Sequence, residues 1–89
     1  MNSNNSMANL IDQAEKFALG GITNQEAIDI NTHIIELNKF ESAAYTRLAK
    51  CYLANNNISG AIEMYKQVLE FDAKNKIAIN SLKKLNSYN

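Results

Sequence analysis

The sequence has no proline or tryptophan and only one cysteine and one histidine among its 89 residues. The single cysteine excludes an internal disulfide framework. No apolar run approaches the roughly 18 residues that a membrane-spanning helix needs. Residues 1–6 contain neither the basic nor the apolar region of a secretory leader. We therefore expect a cytoplasmic location, no membrane partner, and a disordered tail over residues 1–7.

Side chains that carry catalysis are equally scarce. We expect His33 to be an exposed structural histidine and Cys51 to be a small buried core residue. Paired acids such as Asp12 and Glu15 have no base or nucleophile beside them, which catalytic carboxylates would need. The sequence also lacks a Gly-rich phosphate loop and the spacing of zinc ligands. It therefore predicts no catalytic residue, no metal site, no cofactor and no enzymatic activity.

Positive charge is not in excess. Nine Lys and Arg residues balance nine Asp and Glu residues, so the formal net charge is zero, and we expect no nucleic-acid partner. The charge is nevertheless divided along the chain. Residues 1–41 contain two basic and six acidic residues, or −4, and residues 42–89 contain seven basic and three acidic residues, or +4. This division favours docking onto a charged partner or head-to-tail stacking of chains.

The sequence does contain an internal repeat. Ala27 opens the segment Ala-Ile-Asp-Ile, and 34 positions later Ala61 opens Ala-Ile-Glu-Met. The segments 35–38 and 69–72 are related in the same way, by identity or conservative exchange. A fixed period of this length is typical of stacked supersecondary units that cannot bury their apolar faces alone. The repeat predicts a binding scaffold without indicating what it binds.

The second unit has the more specific pattern. Its order and spacing are Tyr45-x2-Leu48-Ala49-x2-Tyr52, then Ala61-x3-Tyr65, then Ala73. Residues 42–75 therefore resemble one tetratricopeptide repeat, whose pattern is W-x2-L-G-x2-Y, then A-x3-F, then P. Residues 8–41 follow the same phase as a divergent repeat, with Glu15 and Asn31 at positions that the family usually packs. Residues 76–88 fit the closing helix of such arrays.

The resemblance implies an all-α fold, a short α-solenoid of antiparallel helix pairs with about five helices, in one domain over residues 8–89. From apolar periodicity and capping residues, the predicted helices cover about 8–19, 24–37, 42–54, 58–71 and 76–87. Gly20-Gly21 ends the first helix. Thr23 and Glu26 form a capping box for the second. Asn57 and Asn75 are expected to cap the fourth and fifth.

The missing proline matters where a repeat ends. The family usually has proline where this sequence has Lys39 and Ala73. Proline stops a helix by removing an amide and clashing with the preceding turn, whereas alanine is the best helix former. Two readings remain open for the turn near Ala73. Packing of the fifth helix maintains it, or residues 58–87 straighten into one helix that exchanges between chains.

Members of the family bind partner proteins in a concave groove that the first helices of successive repeats line. Carried over by phase, the resemblance implies that this groove contains Asn9, Asp12, Gln13, Lys16, Thr46, Arg47, Lys50, Ala54, Ile77, Asn80, Ser81 and Lys84. From this set we predict the peptide-binding residues to be Lys16, Thr46, Arg47, Lys50, Asn80 and Lys84. The basic residues form one wall suited to carboxylates of an acidic partner. The other reading is that these are solvated residues of a short scaffold.

The family's clamp for chaperone tails is not reproduced. Asp12 would repel a C-terminal carboxylate, and Ile77 cannot pair with one. The sequence therefore predicts a non-catalytic protein–protein interaction module that binds some other peptide or helix. One alternative is a self-associating structural protein, a homo-oligomer, because about three repeats are generally needed for stability. The other alternative is a helical adaptor of a larger enzyme.

Overall fold

The computed structural model describes residues 6–86, which form five α-helices and no strand. The helices are α1 (Met7–Leu19), α2 (Gln25–Leu37), α3 (Ser42–Ala54), α4 (Ile58–Phe71) and α5 (Lys76–Asn86). The predicted all-α class is confirmed, and each helix bound except the end of α5 lies within one residue of the expected one. Residues 1–5 and 87–89 lie outside the described residues. Most of the predicted tail and the predicted end of the closing helix fall there.

Each helix packs against the next one in the chain. Connections of three to five residues join the helices, so neighbouring helices run antiparallel. The resulting array is elongated, with principal extents of 49 × 26 × 18 Å. These features are those of the short α-solenoid that the repeat predicted.

Two apolar clusters form the core. The larger one joins α3, α4 and α5 around Tyr65 and Val68, and the smaller one joins α1, α2 and α3 around Leu10 and Ile34. Cys51 belongs to the buried apolar residues, as expected from its phase. The core therefore runs the length of the array as two units that meet at α3.

The start of α2 differs from the predicted capping box. Asn24, and not Thr23, is the N-cap, because its Oδ1 accepts a hydrogen bond from the Ala27 amide at 3.1 Å. Asparagine caps helices at least as well as threonine does. The Thr23 carbonyl instead accepts a hydrogen bond from Asn55 Nδ2 at 2.9 Å. This bond ties the α1–α2 turn to the α3–α4 turn.

The other turns follow the sequence more closely. Gly21 has a φ of +69°, a left-handed conformation that glycine adopts without side-chain strain. Asn57 and Asn75 cap α4 and α5 as predicted, and each Oδ1 accepts from the amide three residues further on at 3.0 Å. Asn56 has a φ of +64°, which the sequence analysis did not predict. Asparagine is among the residues that tolerate this region.

The turn between α4 and α5 forms without proline. Asn75 Nδ2 donates to Asp72 Oδ2 at 3.0 Å, and the Asn75 amide donates to the Asp72 carbonyl at 3.1 Å. Hydrogen bonds from Asn75 and then from Ser42 lower the pKa of the Asp72 carboxyl, and burial opposes this shift. In this structure α4 therefore ends at Phe71, as the packing reading expects, and a hydrogen-bonded carboxylate occupies the turn.

The substitution Ala61→Leu tests the close packing at the repeat position. Ala61 is completely buried, so three added carbons have no space between the helices. We expect the free energy of unfolding to fall by about 1–3 kcal/mol, as overpacking usually costs. Ala54→Leu is the matched control, because Ala54 is exposed near the end of α3. Urea unfolding measures both variants, and equal stabilities would contradict the assignment of Ala61 as a close contact.

The substitution Asp72→Asn tests the carboxylate in the turn. A folded-state pKa that is lowered gives stabilisation that is present above the ordinary carboxyl pKa of about 4 and lost as the pH falls through the folded value. We therefore expect Asp72→Asn to lower the melting temperature at pH 7, and the difference from the original chain to shrink in acid. Thermal unfolding followed by circular dichroism measures this. A difference that is independent of pH would contradict the ionic role.

Candidate functional site

Two neighbouring cavities open along α3. The α1–α3 cavity, of about 390 Å³, is lined by α1, the α1–α2 turn, α2 and α3. The α3–α5 cavity, of about 590 Å³, is lined by α3, α4 and α5. Lys50 and Leu53 line both cavities. We therefore refer to the two cavities together as the groove.

Apolar side chains provide most of the groove lining. Phe17 and Ile22 line the α1–α3 cavity, and Ile58 and Ile62 line the α3–α5 cavity. Ile22 is 40% exposed and Ile58 is 46% exposed. Concave apolar surface of this kind is typical of binding sites. These residues were not among those predicted from the sequence, although the positions of Ile22 and Ile58 beside turn residues were a signal for them.

A row of lysines accompanies the apolar lining. Lys16, Lys50 and Lys84 are 34 positions apart and lie at equivalent points of α1, α3 and α5, all exposed. Lys50 and Lys84 line the α3–α5 cavity. Lys16 Nζ is 3.2 Å from Asp12 Oδ2 on the exposed face of α1. Because an exposed ion pair contributes little, all three lysines can attract an anion. We call this set the lysine row.

Arg47 occupies the wall of the α1–α3 cavity in a half-buried position. Its Nε donates to Asn31 Oδ1 at 3.0 Å. Asn31 is only 2% exposed, and its Nδ2 donates to the Ala27 carbonyl at 2.9 Å. Because a carbonyl only accepts hydrogen bonds, this second bond determines that the amide oxygen of Asn31 faces Arg47. Asn31 therefore holds the guanidinium in place.

The charge of Arg47 is incompletely compensated. Among the described residues, its Nη2 is buried without a hydrogen-bond partner. Burial lowers the pKa of Arg47, and the charges of Glu15 and Glu41 oppose this shift. Neither carboxylate forms an ion pair with Arg47 within residues 6–86. A buried donor without a partner is costly, so the α1–α3 cavity contains a cation that an incoming anion would stabilise.

The sequence model of the tetratricopeptide repeat family matches residues 23–85. The chain belongs to the tetratricopeptide repeat family. Repeats of this family generally mediate protein–protein interaction and are generally not catalytic. The match begins at Thr23, so α1 lies outside it.

One curated relative matches part of the chain. RNA polymerase II-associated protein 3 of Xenopus laevis is 46% identical over 52 residues. The matched segment covers 58% of this chain and 8% of the relative. The chain therefore corresponds to a small part of that protein. No solved structure matches the chain.

Three of the six predicted peptide-binding residues line the two cavities of the groove. Arg47, Lys50 and Lys84 line its cavities, and Lys16 extends the lysine row onto α1.

The sequence also predicted no metal site. Between residues 6 and 86, no group of three or more His, Cys, Asp and Glu side chains could hold a metal ion. None of the five described helices is long and apolar enough to cross a membrane.

Three predicted residues line neither cavity of the groove: Lys16, Thr46 and Asn80. Thr46 is 6% exposed, and its Oγ1 donates to the Ala43 carbonyl at 3.1 Å. Asn80 is exposed but lines neither cavity, whereas its neighbour Ser81 lines the α3–α5 cavity. Successive residues of a helix point about 100° apart, because the helix has 3.6 residues per turn. Assignment by repeat phase alone therefore included Thr46 and Asn80, each of which lies one residue before a residue that lines a cavity.

A double-variant cycle tests the Asn31–Arg47 pair. Asn31→Leu alone leaves the Nε of Arg47 without its acceptor, and we expect a loss of about 1–3 kcal/mol in the free energy of unfolding. Adding Arg47→Met removes the stranded cation, so the double variant should recover much of that loss. Urea unfolding of the single and double variants measures the coupling. Losses that simply add would show that the hydrogen bond does not stabilise the fold.

Proposed function

We propose that the chain is a non-catalytic interaction module that binds an acidic, partly apolar segment of a partner protein in the groove. The observation that carries this proposal is the lysine row beside two apolar cavities. The lysines attract carboxylates before contact, which raises the association rate and selects the partner. The cavities then bury apolar side chains, and the burial of apolar surface is the dominant favourable term in most protein–protein association.

The proposed segment is not a chaperone tail. Asp12 already pairs with Lys16 on α1, and its carboxylate repels a terminal carboxylate. Ile77 on α5 is 55% exposed and offers no donor. The groove instead suits internal acidic side chains that alternate with apolar ones. A peptide with blocked ends is therefore the appropriate probe.

Charge reversal of the lysine row tests the proposal. The probe is an acetylated and amidated peptide containing glutamate and leucine, selected from a random library on the original chain. We expect Lys16→Glu, Lys50→Glu and Lys84→Glu together to weaken its binding by about tenfold or more, since each exposed charge contributes a fraction of a kcal/mol. Fluorescence anisotropy measures the dissociation constant. Added salt should weaken binding to the original chain as well.

The matched control reverses three lysines outside the groove. Lys66, Lys74 and Lys76 are exposed and line neither cavity. Their replacement by Glu changes the net charge by the same amount, so it separates a local effect from a general one. Equal loss in the two triple variants would refute the groove as the site. Thermal unfolding of both variants shows whether each remains folded.

A second copy of the chain is the other occupant that the lysine row would suit, because residues 1–41 have a net charge of −4. Light scattering of the free chain over a range of concentrations separates the two cases. A constant monomer mass supports a different partner protein. A mass that doubles, and returns to that of the monomer in the Lys16, Lys50 and Lys84 variant, supports self-association in the groove instead.

A further inference from the structure

The two cavities of the groove are equivalent in the repeat but differ chemically. Residues 34 positions apart line both of them, for example Cys51 in the α1–α3 cavity and Leu85 in the α3–α5 cavity. By the same offset, Asn31 corresponds to Tyr65 and Arg47 to Ser81. The hydrogen-bonded pair therefore occurs at only one of two equivalent places. Where the first cavity has an amide and a guanidinium, the second has a buried ring and a hydroxyl.

Because of this difference, the α1–α3 cavity has a charged side chain in its inner wall, and the inner wall of the α3–α5 cavity is uncharged. Arg47 is half-buried in the α1–α3 cavity, so solvent screens its charge less than that of the exposed lysines. Tyr65 is 1% exposed and belongs to the core beneath the α3–α5 cavity. The lysines near the α3–α5 cavity, Lys50 and Lys84, are exposed. Only the α1–α3 cavity thus combines a partly desolvated cation with apolar walls.

The geometry of Arg47 favours a carboxylate as the ligand. Asn31 accepts from the Nε donor, and the buried Nη2 has no hydrogen-bond partner in the described part of the chain. A guanidinium matches the planar shape of a carboxylate better than that of any neutral acceptor. The cavity volume of about 390 Å³ leaves room for a short acidic side chain.

We infer that the groove has a direction: the α1–α3 cavity takes a carboxylate side chain of the partner, and the α3–α5 cavity takes an apolar one. This inference rests on the proposed function and specifies the chemistry of the same site. Arg47 is then the residue that determines specificity, and Asn31 is a positioning residue that acts through it. A bound segment must present its acidic side chain toward α1 and its apolar side chain toward α5.

Glu15 provides an internal check on this inference. Its charge raises the pKa of Arg47, so it already offsets part of the cation without pairing with it. A partner carboxylate beside Arg47 is repelled by the negative charge of Glu15. Glu15→Gln should therefore strengthen the binding of an acidic probe by about two- to threefold, the usual size of an exposed charge effect. Unchanged or weaker binding would show that the probe carboxylate is not near Arg47.

Propionate, which carries the same carboxylate as a glutamate side chain, tests the charged cavity without any peptide. In nuclear magnetic resonance titrations, we expect a saturable shift of the Arg47 Nε–H signal with propionate and none with the neutral propionamide. The Ser81 amide should not respond. Arg47→Met should abolish the response of the Asn31 side-chain amide, and Lys66→Met, at an exposed residue that lines neither cavity, should preserve it. Equal responses at Arg47 and Ser81 would overturn the inference even if peptides bind.

A cycle with the selected peptide tests direction. Replacing its glutamate by glutamine should weaken binding to the original chain by about tenfold or more, as expected for a hydrogen bond to a charged group. The same replacement should have almost no effect on binding to Arg47→Met. If the effect is the same in both chains, the carboxylate lies elsewhere and the direction is wrong. The proposed function fails separately, when reversal of the lysine row leaves peptide binding unchanged.

Discussion

The close approach of paired helices at two small residues is the contact on which the rest of this structure depends. Ala27 is 1% exposed and Ala61 is 0% exposed, one in α2 and one in α4. Because the side chain of alanine is short, neighbouring helices pack closely at these points. Each helix pair is then followed by the next pair in a similar orientation. The lysine row exists because of this repetition. Three lysines 34 positions apart lie at equivalent points of α1, α3 and α5 because the repeat units have the same order of helices.

The sequence predicted the fold better than the groove, for a physical reason. Helix type and bounds depend on local periodicity and on caps, which are legible in the chain itself. The Thr23 capping box failed because the adjacent Asn24 is an equally good cap. The Asn31–Arg47 bond joins two helices across 16 positions and depends on side-chain directions. Asn31 was visible in the sequence as a polar residue at a packed position, but its partner was not.

The turn after α4 shows how a missing residue is replaced by a different interaction. Proline would stop the helix through steric restriction. Here Asp72 and Asn75 form hydrogen bonds across the turn instead. Near the turn, Phe71 packs edge-on against Phe40 and Tyr45, with ring centroids 5.5 and 5.3 Å apart. Aromatic packing therefore holds the end of α4 while the carboxylate occupies the turn. The packing of the aromatic rings does not depend on the ionisation of a carboxyl group, whereas the hydrogen bonds of the Asp72 carboxylate do.

The groove contains a side chain, Arg47, whose burial is unfavourable for the stability of the fold. A half-buried arginine with an unpartnered Nη2 does not help a small core, and apolar packing of the kind seen at Tyr65 would avoid the cost. Such conflicts occur mostly at functional sites, because binding then removes the strain that folding leaves. A carboxylate beside Arg47 gains more than it would at an exposed lysine, since the cation has already lost part of its hydration in the folded chain. In the proposed binding mode, the same desolvation that weakens the free fold thus makes the α1–α3 cavity the more selective half of the groove.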